Sequence, residues 1–215
     1  DRNRDEHSML NGAIYLQGML VGASLIVPIG AQNAFVLERG IRRNHALLVA
    51  GLCFLADAFL IALGVGGAGK VIAQSLTLQL LLTLGGAVFL LRYGWSSLVR
   101  AWQATDQTLA QQGGMTRARA ISMTLAVTLL NPHVYLDTVM IQGAVSGQYP
   151  RVQQLSFALG SISASFLWFF GLALLASWLA PQLQRVRVQQ FIDGGVGVLM
   201  WLIAFGLLRH AVFIV

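Results

Sequence analysis

The chain has one cysteine, four prolines and few charges in 215 residues. With Cys53 alone, no internal disulfide or thiol pair can form, which excludes six-span thiol oxidoreductases that need such a pair. Charged residues make up 10% of the chain, against about 25% in soluble domains, so a soluble fold is excluded. No Walker motif is present, no G-x-G-D or G-x-S-x-G sequence of an intramembrane protease, and no Cys/His/Asp/Glu cluster with metal-ligand spacing. Neither an enzyme nor a cofactor is expected. A cleavable signal is missing too: no A-x-A site follows a short apolar core. Residues 1–8 are a polar tail ahead of Met9, set aside as an extension, and 9–215 read as one membrane domain.

What fills the chain is apolar. The hydrophobic share is 56% and the mean hydropathy +0.69. Six stretches, at 10–37, 45–66, 76–98, 120–145, 157–179 and 191–212, hold almost no charge. Each is long enough for the roughly 20 residues that cross a bilayer. The reading is an all-α polytopic membrane protein surrounded by lipid. Cys53 lies mid-span, where it packs as a small hydrophobe. A net charge of +6 would suggest nucleic acid in a soluble protein. Here no nucleic-acid partner is expected, because arginines in the loops set orientation.

Two spans are interrupted. Pro28 cannot donate a backbone hydrogen bond and crowds the carbonyl of Ser24. Gly30 loosens the chain two residues later, and Gln32 and Asn33 bring amides to membrane depth. The pattern returns at Leu130-Asn131-Pro132-His133. In hydrocarbon, broken helix is tolerated only where protein buries it or a wet cavity meets it. Paired breaks in two halves of a membrane protein point to a solute site.

The halves also match elsewhere. Phe59-Leu60 and Gly64 correspond to Phe166-Leu167 and Gly171 at an offset of 107, and Gly85-Gly86 to Gly194-Gly195 at 109. Pro28 and Pro132 are offset by 104. Two repeats, about 9–100 and 118–212, would each hold three spans, so the second is inverted, with helices 1 and 4 broken. Arg39, Arg42, Arg43, Arg100, Arg117, Arg119, Arg185 and Arg187 fall in the loops of one side; Lys70, Arg151 and Arg209 fall on the other. The arginine-rich side should be cytoplasmic, leaving both termini outside.

Ionisable groups at mid-membrane are functional candidates because they are costly, about 2.5–3.5 kcal/mol on insertion scales. Asp57 lies at the centre of span two, either as a cation or proton site or as the ion-pair partner of Arg92. Asp137 follows the second break by five residues and either faces the cavity or caps backbone freed by Pro132. His133 suits proton handling or an ordinary buried hydrogen bond. Asp193 is placed at the N-terminus of span six, where an anion is stabilised. Gln32, Asn33 and Asn131 suit a zwitterion's ammonium and carboxylate, or else satisfy the broken backbone. Phe166, Trp168 and Phe169 read as packing or interfacial belt, and Ser161, Ser163, Ala164 and Ser165 as small residues that permit close helix approach.

The segments P-I-G-A-Q-N-A-F-V-L-E-R-G-I-R-R, L-A-D, T-L-L-N-P-H-V-Y-L-D-T and F-A-L-G-S-I-S-A-S-F-L-W-F-F-G-L-A-L-L-A occur in order. They resemble the LysE-type amino-acid exporters from Met9 to about Arg209. One position departs: where that family usually has P-x-G-P-Q-N, Ala31 replaces the second proline, which should soften the first break. The resemblance implies a bacterial inner-membrane exporter of basic amino acids, chiefly L-arginine and also lysine or canavanine. Q-N-A-F and G-I-R-R favour this branch over homoserine/threonine exporters.

Without a nucleotide site, an inward proton is the expected energy source. Asp57 and Asp137 would alternately hold the guanidinium or a proton, and the breaks would hold the α-amino and α-carboxylate groups. Export of another amino acid or of a cation, a passive channel and a structural subunit are the competing readings, and a homo-oligomer is left open.

Overall fold

The computed structural model describes residues 11–28, 30–67, 76–104, 114–183 and 185–214. The N-terminal tail, Lys70 and most of the loop between spans three and four lie outside them. The described chain is helical. It comprises α1 (Gly12–Ile26), α2 (Ala31–Ile41), α3 (Ala46–Val65), α4 (Leu76–Gln103), α5 (Arg117–Leu129), α6 (Pro132–Val134), a π-helical segment (Tyr135–Ile141), α7 (Gln142–Ser146), α8 (Arg151–Leu183) and α9 (Val186–Ile214).

Four of these helices are long and apolar enough to cross a membrane, and α1 with α2, bent by 82°, adds a fifth candidate. They present Leu20, Phe59, Leu81, Leu202 and Phe205 to the surroundings as exposed apolar side chains. In water such a surface would drive association; in lipid it is the solvated face. The protein is a multi-pass membrane protein.

Both breaks fall where Pro28 and Pro132 stand. The path of each broken segment is set by a continuous partner. Down α8, Gly18 meets Phe157, Gly22 meets Ser161 and Gly40 meets Ala176, so α1 and α2 together run parallel to that helix. A side chain at Gly22 would collide with the Ser161 Cα at 2.9 Å, which is why glycine stands there. Along α3, Gly64 meets Thr138 and Val139, while Asn44, just before that helix, lies beside Gly114. The chain from α5 to α7 therefore runs parallel to α3. The antiparallel pair α4 and α9 is tied by Gln190 Nε2 donating to the Ala104 carbonyl (3.2 Å) and Trp201 Nε1 donating to the Leu91 carbonyl (3.2 Å).

The main core, which includes Phe35, Val49, Cys53, Leu90, Phe169 and Met200, joins α2, α3, α4, α8 and α9. Cys53 is buried and free, and Phe169 packs in this core while Phe166 is half-exposed against Phe54 and Phe170.

At the arginine-rich end the charges do something the sequence reading missed. Glu38 is fully buried, accepts from Arg39, Tyr93 and Arg100 Nη2 (3.2 Å), and forms an ion pair with Arg42, whose Nε lies 3.2 Å away. Asp193 accepts from Arg42 Nη2 at 2.7 Å and Arg100 Nη2 at 3.4 Å. Three arginines expected in loops are thus partners in a buried cluster linking α2, α4 and α9. The charges at 38 and 39 made span one appear to end at Leu37; because they neutralise each other, the helix continues to Ile41. The placement of Asp193 also changes. Since α9 begins at Val186, Asp193 lies two turns inside the helix, and its charge is balanced by guanidinium groups and not by a helix terminus.

Removing one member of a buried ion cluster leaves an uncompensated charge, typically at a cost of about 3–5 kcal/mol. Glu38→Ala should therefore lower the unfolding temperature in detergent and the abundance in the membrane, whereas Arg92→Gln, at an exposed position, should change neither. Equal unfolding temperatures for the two variants would contradict the cluster's role.

Candidate functional site

The first break is held by a side-chain clasp. The end of α1 leaves carbonyls without intrahelical donors. Asn33 Nδ2 donates to two of them, Ile26 O at 2.7 Å and Pro28 O at 2.8 Å. Its Oδ1 accepts from Trp168 Nε1 at 3.1 Å, which fixes the amide's orientation from α8. Asn33 is thereby occupied at both ends. Trp168, read from sequence as packing, is the positioning residue of the break. Its signal in the sequence was only an indole on an apolar helix, which says nothing about a partner 135 residues away.

The clasp also explains why Ala31 does not straighten the segment. Ala31 is the first residue of α2, and a proline there would only remove an N–H that is unpaired anyway. The 82° bend persists without it. What a second proline was expected to enforce, Pro28 and Asn33 already impose.

The second break is satisfied locally. Asn131 Oδ1 accepts from the His133 N–H (3.2 Å), and Tyr135 Oη donates to the Leu129 carbonyl (2.9 Å). These two side chains do the capping that Asp137 was offered as an alternative. Asp137 itself falls in the π-helical segment, where the Gln142 N–H reaches its carbonyl. Such insertions re-aim side chains and occur often at functional sites.

Between the breaks lies a cavity of about 310 Å³, at the lower end of the range for small-molecule sites. Its lining includes Gln32, Asp57, Asn131, His133 and Asp137, with Gly30 and Ala31 at the start of α2. All six polar residues singled out in the sequence near the breaks and on span two, Asn33 included, thus line one space. Among the described residues, no lysine or arginine lines it.

Within this cavity the polar groups differ in what they already hold. Asp57 is buried, with Oδ2 accepting from Ser165 Oγ on α8 at 2.9 Å. Arg92 is exposed on α4 and forms no ion pair with Asp57, so that alternative is corrected: the partner is a hydroxyl, and the carboxylate's charge is not met by Arg92. Ser161, about 6 Å of helix rise from Ser165, donates to Gln142 instead. Both serines are polar contacts as well as small residues. Gln32 turns its buried side-chain amide toward the Asp57 carboxylate and the Cys53 thiol. The site therefore combines two carboxylates able to hold cationic groups with an amide, at a helix start, that faces one of them.

The chain also has relatives among known proteins. The sequence profile described as "LysE type translocator" matches residues 23–211. The arginine exporter protein ArgO of Salmonella newport (strain SL254) is 50% identical over 200 residues, covering 92% of this chain and 94% of its own. The ArgO proteins of Salmonella paratyphi C (strain RKS4594) and Salmonella typhi are similar to the same extent. No solved structure matches.

The two neighbouring amides should separate in a stability measurement. Asn33→Ala strands the Ile26 and Pro28 carbonyls, each worth about 1–3 kcal/mol when buried and unpaired, and should lower the unfolding temperature clearly. Gln32→Ala strands no backbone carbonyl and should lower that temperature by less. Equal losses would show that the clasp is not specific to Asn33.

Proposed function

The chain belongs to the LysE-type translocators, and from that membership and the cavity we propose that it exports L-arginine, with lysine and canavanine as further substrates, in exchange for an inward proton. Membership makes it an amino-acid transporter and not an enzyme. The observation that carries the substrate is the pairing of Asp57 and Asp137 in one cavity that no described lysine or arginine lines. Two carboxylates suit an amino acid with two cationic groups better than homoserine or threonine, which have one.

The energy source follows from the charge of the cargo. Moving one positive charge against the potential costs about 2.3 kcal/mol per 100 mV, so uncoupled export from a negative interior is uphill. One-for-one exchange with a proton moves no net charge. Asp57 holds a proton or a cationic group of the substrate in turn, with Ser165 keeping the carboxylate in place, and Asp137 takes the other cationic group.

The proposed architecture is six crossings of the bacterial inner membrane, arranged as inverted repeats of about 9–100 and 118–212 within one lipid-embedded domain at 9–215. The parallel courses of α1–α2 with α8 and of α5–α7 with α3 support it, as does the antiparallel pair α4 and α9. An even number of crossings with the arginine-rich end inside leaves both termini outside.

Two measurements test this reading. Inside-out vesicles with an acid lumen should accumulate labelled arginine, and dissipating the pH gradient should abolish accumulation. Asp57→Asn should stop uptake at normal abundance, and adding Arg92→Gln should not restore it. Gradient-independent uptake would overturn proton exchange, and an active double variant would move Asp57 to the scaffold. For orientation, a reporter active only outside the cytoplasm should work when fused after Arg209 and fail when inserted at 103–116. The opposite pattern would reverse the assignment of sides.

A further inference from the structure

The described helices fall into two unequal groups. α4 and α9 pack far more extensively on each other than on any other helix, and Gln190 and Trp201 add hydrogen bonds between them. α2 belongs with the remaining helices. It lies mainly along α8, so close at Gly40 that a Cβ there would stand 2.4 Å from the Ala176 Cβ. Every residue of α2 except Leu37 is buried. The cavity lies on the boundary of the two groups: Gln32, Asp57 and Asp137 line it from one, Ile203 and Gly206 of α9 from the other.

The cavity meets the surroundings at Pro28, His133 and Gly206, which are lining residues and exposed. Towards the arginine-rich end the boundary is closed. Asp193 stands about 15–20 Å of helix rise from Ile203 and Gly206, and buried α2 fills that interval. What joins the two groups there is charge. Glu38 of α2 accepts from Tyr93 and Arg100 of α4, and Arg42, directly after α2, donates to Asp193 of α9 at 2.7 Å. One turn further in, Phe35 meets Tyr93 edge-on at 5.8 Å. The Arg42 and Arg100 side chains are 17% and 25% exposed. Water therefore solvates these charges as they separate, and the hydration regained offsets the attraction lost. Such a contact can part and re-form.

We propose that the cluster of Glu38, Arg42, Arg100 and Asp193 is the cytoplasmic latch of the transport path. Closed, it seals the cavity from the cytoplasm; parted, it lets α2 and the α4–α9 pair separate so that cargo enters from that side. This rests on the reading of the protein as an exporter whose arginine-rich end is cytoplasmic. An exporter must load from the cytoplasm, and α2 with the cluster bars that route. Rigid groups of helices switch between discrete arrangements by re-pairing salt bridges at their interface. The strength of the latch then sets how often the cytoplasm-open arrangement is visited.

Accessibility of the cavity from each side tests the latch without measuring transport. In a Cys53→Ala background, Gly30→Cys places a thiol in the cavity, on extended backbone (φ −120°, ψ −177°) where a Cβ would meet nothing within 4 Å. A small membrane-impermeant methanethiosulfonate is then added to right-side-out or inside-out vesicles. With the latch intact, the thiol should react mainly from the outer side. Arg42→Gln with Asp193→Asn removes one charge of each sign, and Glu38 keeps Arg39 and Arg100. Reaction from the cytoplasmic side should then rise roughly tenfold, the shift expected on losing one charge-assisted hydrogen bond made only in the closed arrangement. Tyr93→Phe keeps the ring beside Phe35 and removes only a hydroxyl from Glu38. It should act in the same direction by less, and it serves where the double variant does not reach the membrane. Reaction from the outer side should rise in neither. A rise on both sides would show a general loss of packing, and no rise from the cytoplasmic side would make the cluster scaffold; either result overturns the latch. Faster reaction from the cytoplasmic side with the latch intact would overturn it too. Uptake of labelled arginine is scored separately in the unaltered protein. The expected sided reaction without arginine uptake would remove arginine as the cargo and leave the latch standing.

Discussion

Every backbone polar group at membrane depth must find a partner, because lipid offers none. The three hydrogen bonds of Asn33 meet that requirement at the point where the chain is most exposed to it. One amide donates to two carbonyls at the end of α1 and receives an indole N–H from α8. With the carbonyls occupied from within, the helix can stop, turn by 82° and restart without a water shell. The free start of α2 then faces inward, and the cavity exists because the bend does.

The opposite requirement governs the arginine-rich end. There, three guanidinium groups surround the carboxylates of Glu38 and Asp193 in a setting largely closed to solvent. Buried pairs of this kind add little net stability relative to apolar packing, since desolvation offsets attraction. Their effect is on geometry. Glu38 binds only where α2, α4 and α9 converge, so α2 is fixed at its far end by charge and at its near end by the Asn33 clasp. A helix held at both ends keeps its start aimed into the cavity.

The division of labour among the amides follows from these two anchors. Asn33 and Asn131 serve the backbone at their respective breaks, and Gln32, one residue from Asn33, faces Asp57 and Cys53 instead. Asp57 has neutral partners and no balancing guanidinium. A site that must bind and release a charged solute requires groups whose needs the protein leaves unmet, and these are the groups the cavity presents.

The medium, the helical class and the position of both breaks were legible in the sequence. These depend on local properties: apolar runs of bilayer length, and prolines that cannot donate. It also brought forward Gln32, Asp57, Asn131 and Asp137 as polar residues in apolar surroundings, which is a local signal too. What it could not separate was which of them were already satisfied. Asn33 and Gln32 are adjacent and chemically alike, and only the approach of Trp168 from α8 distinguishes them. Glu38 resembled the edge of a loop because its partners Tyr93, Arg100 and, through the arginines, Asp193 come from distant helices. Arg92 and Arg100 are both arginines on α4, two turns apart; one is exposed and the other closes an ion cluster, because two turns of helix carry the side chain to a different neighbour. Hydrogen bonds and ion pairs between helices depend on which faces meet, and that is decided by tertiary packing.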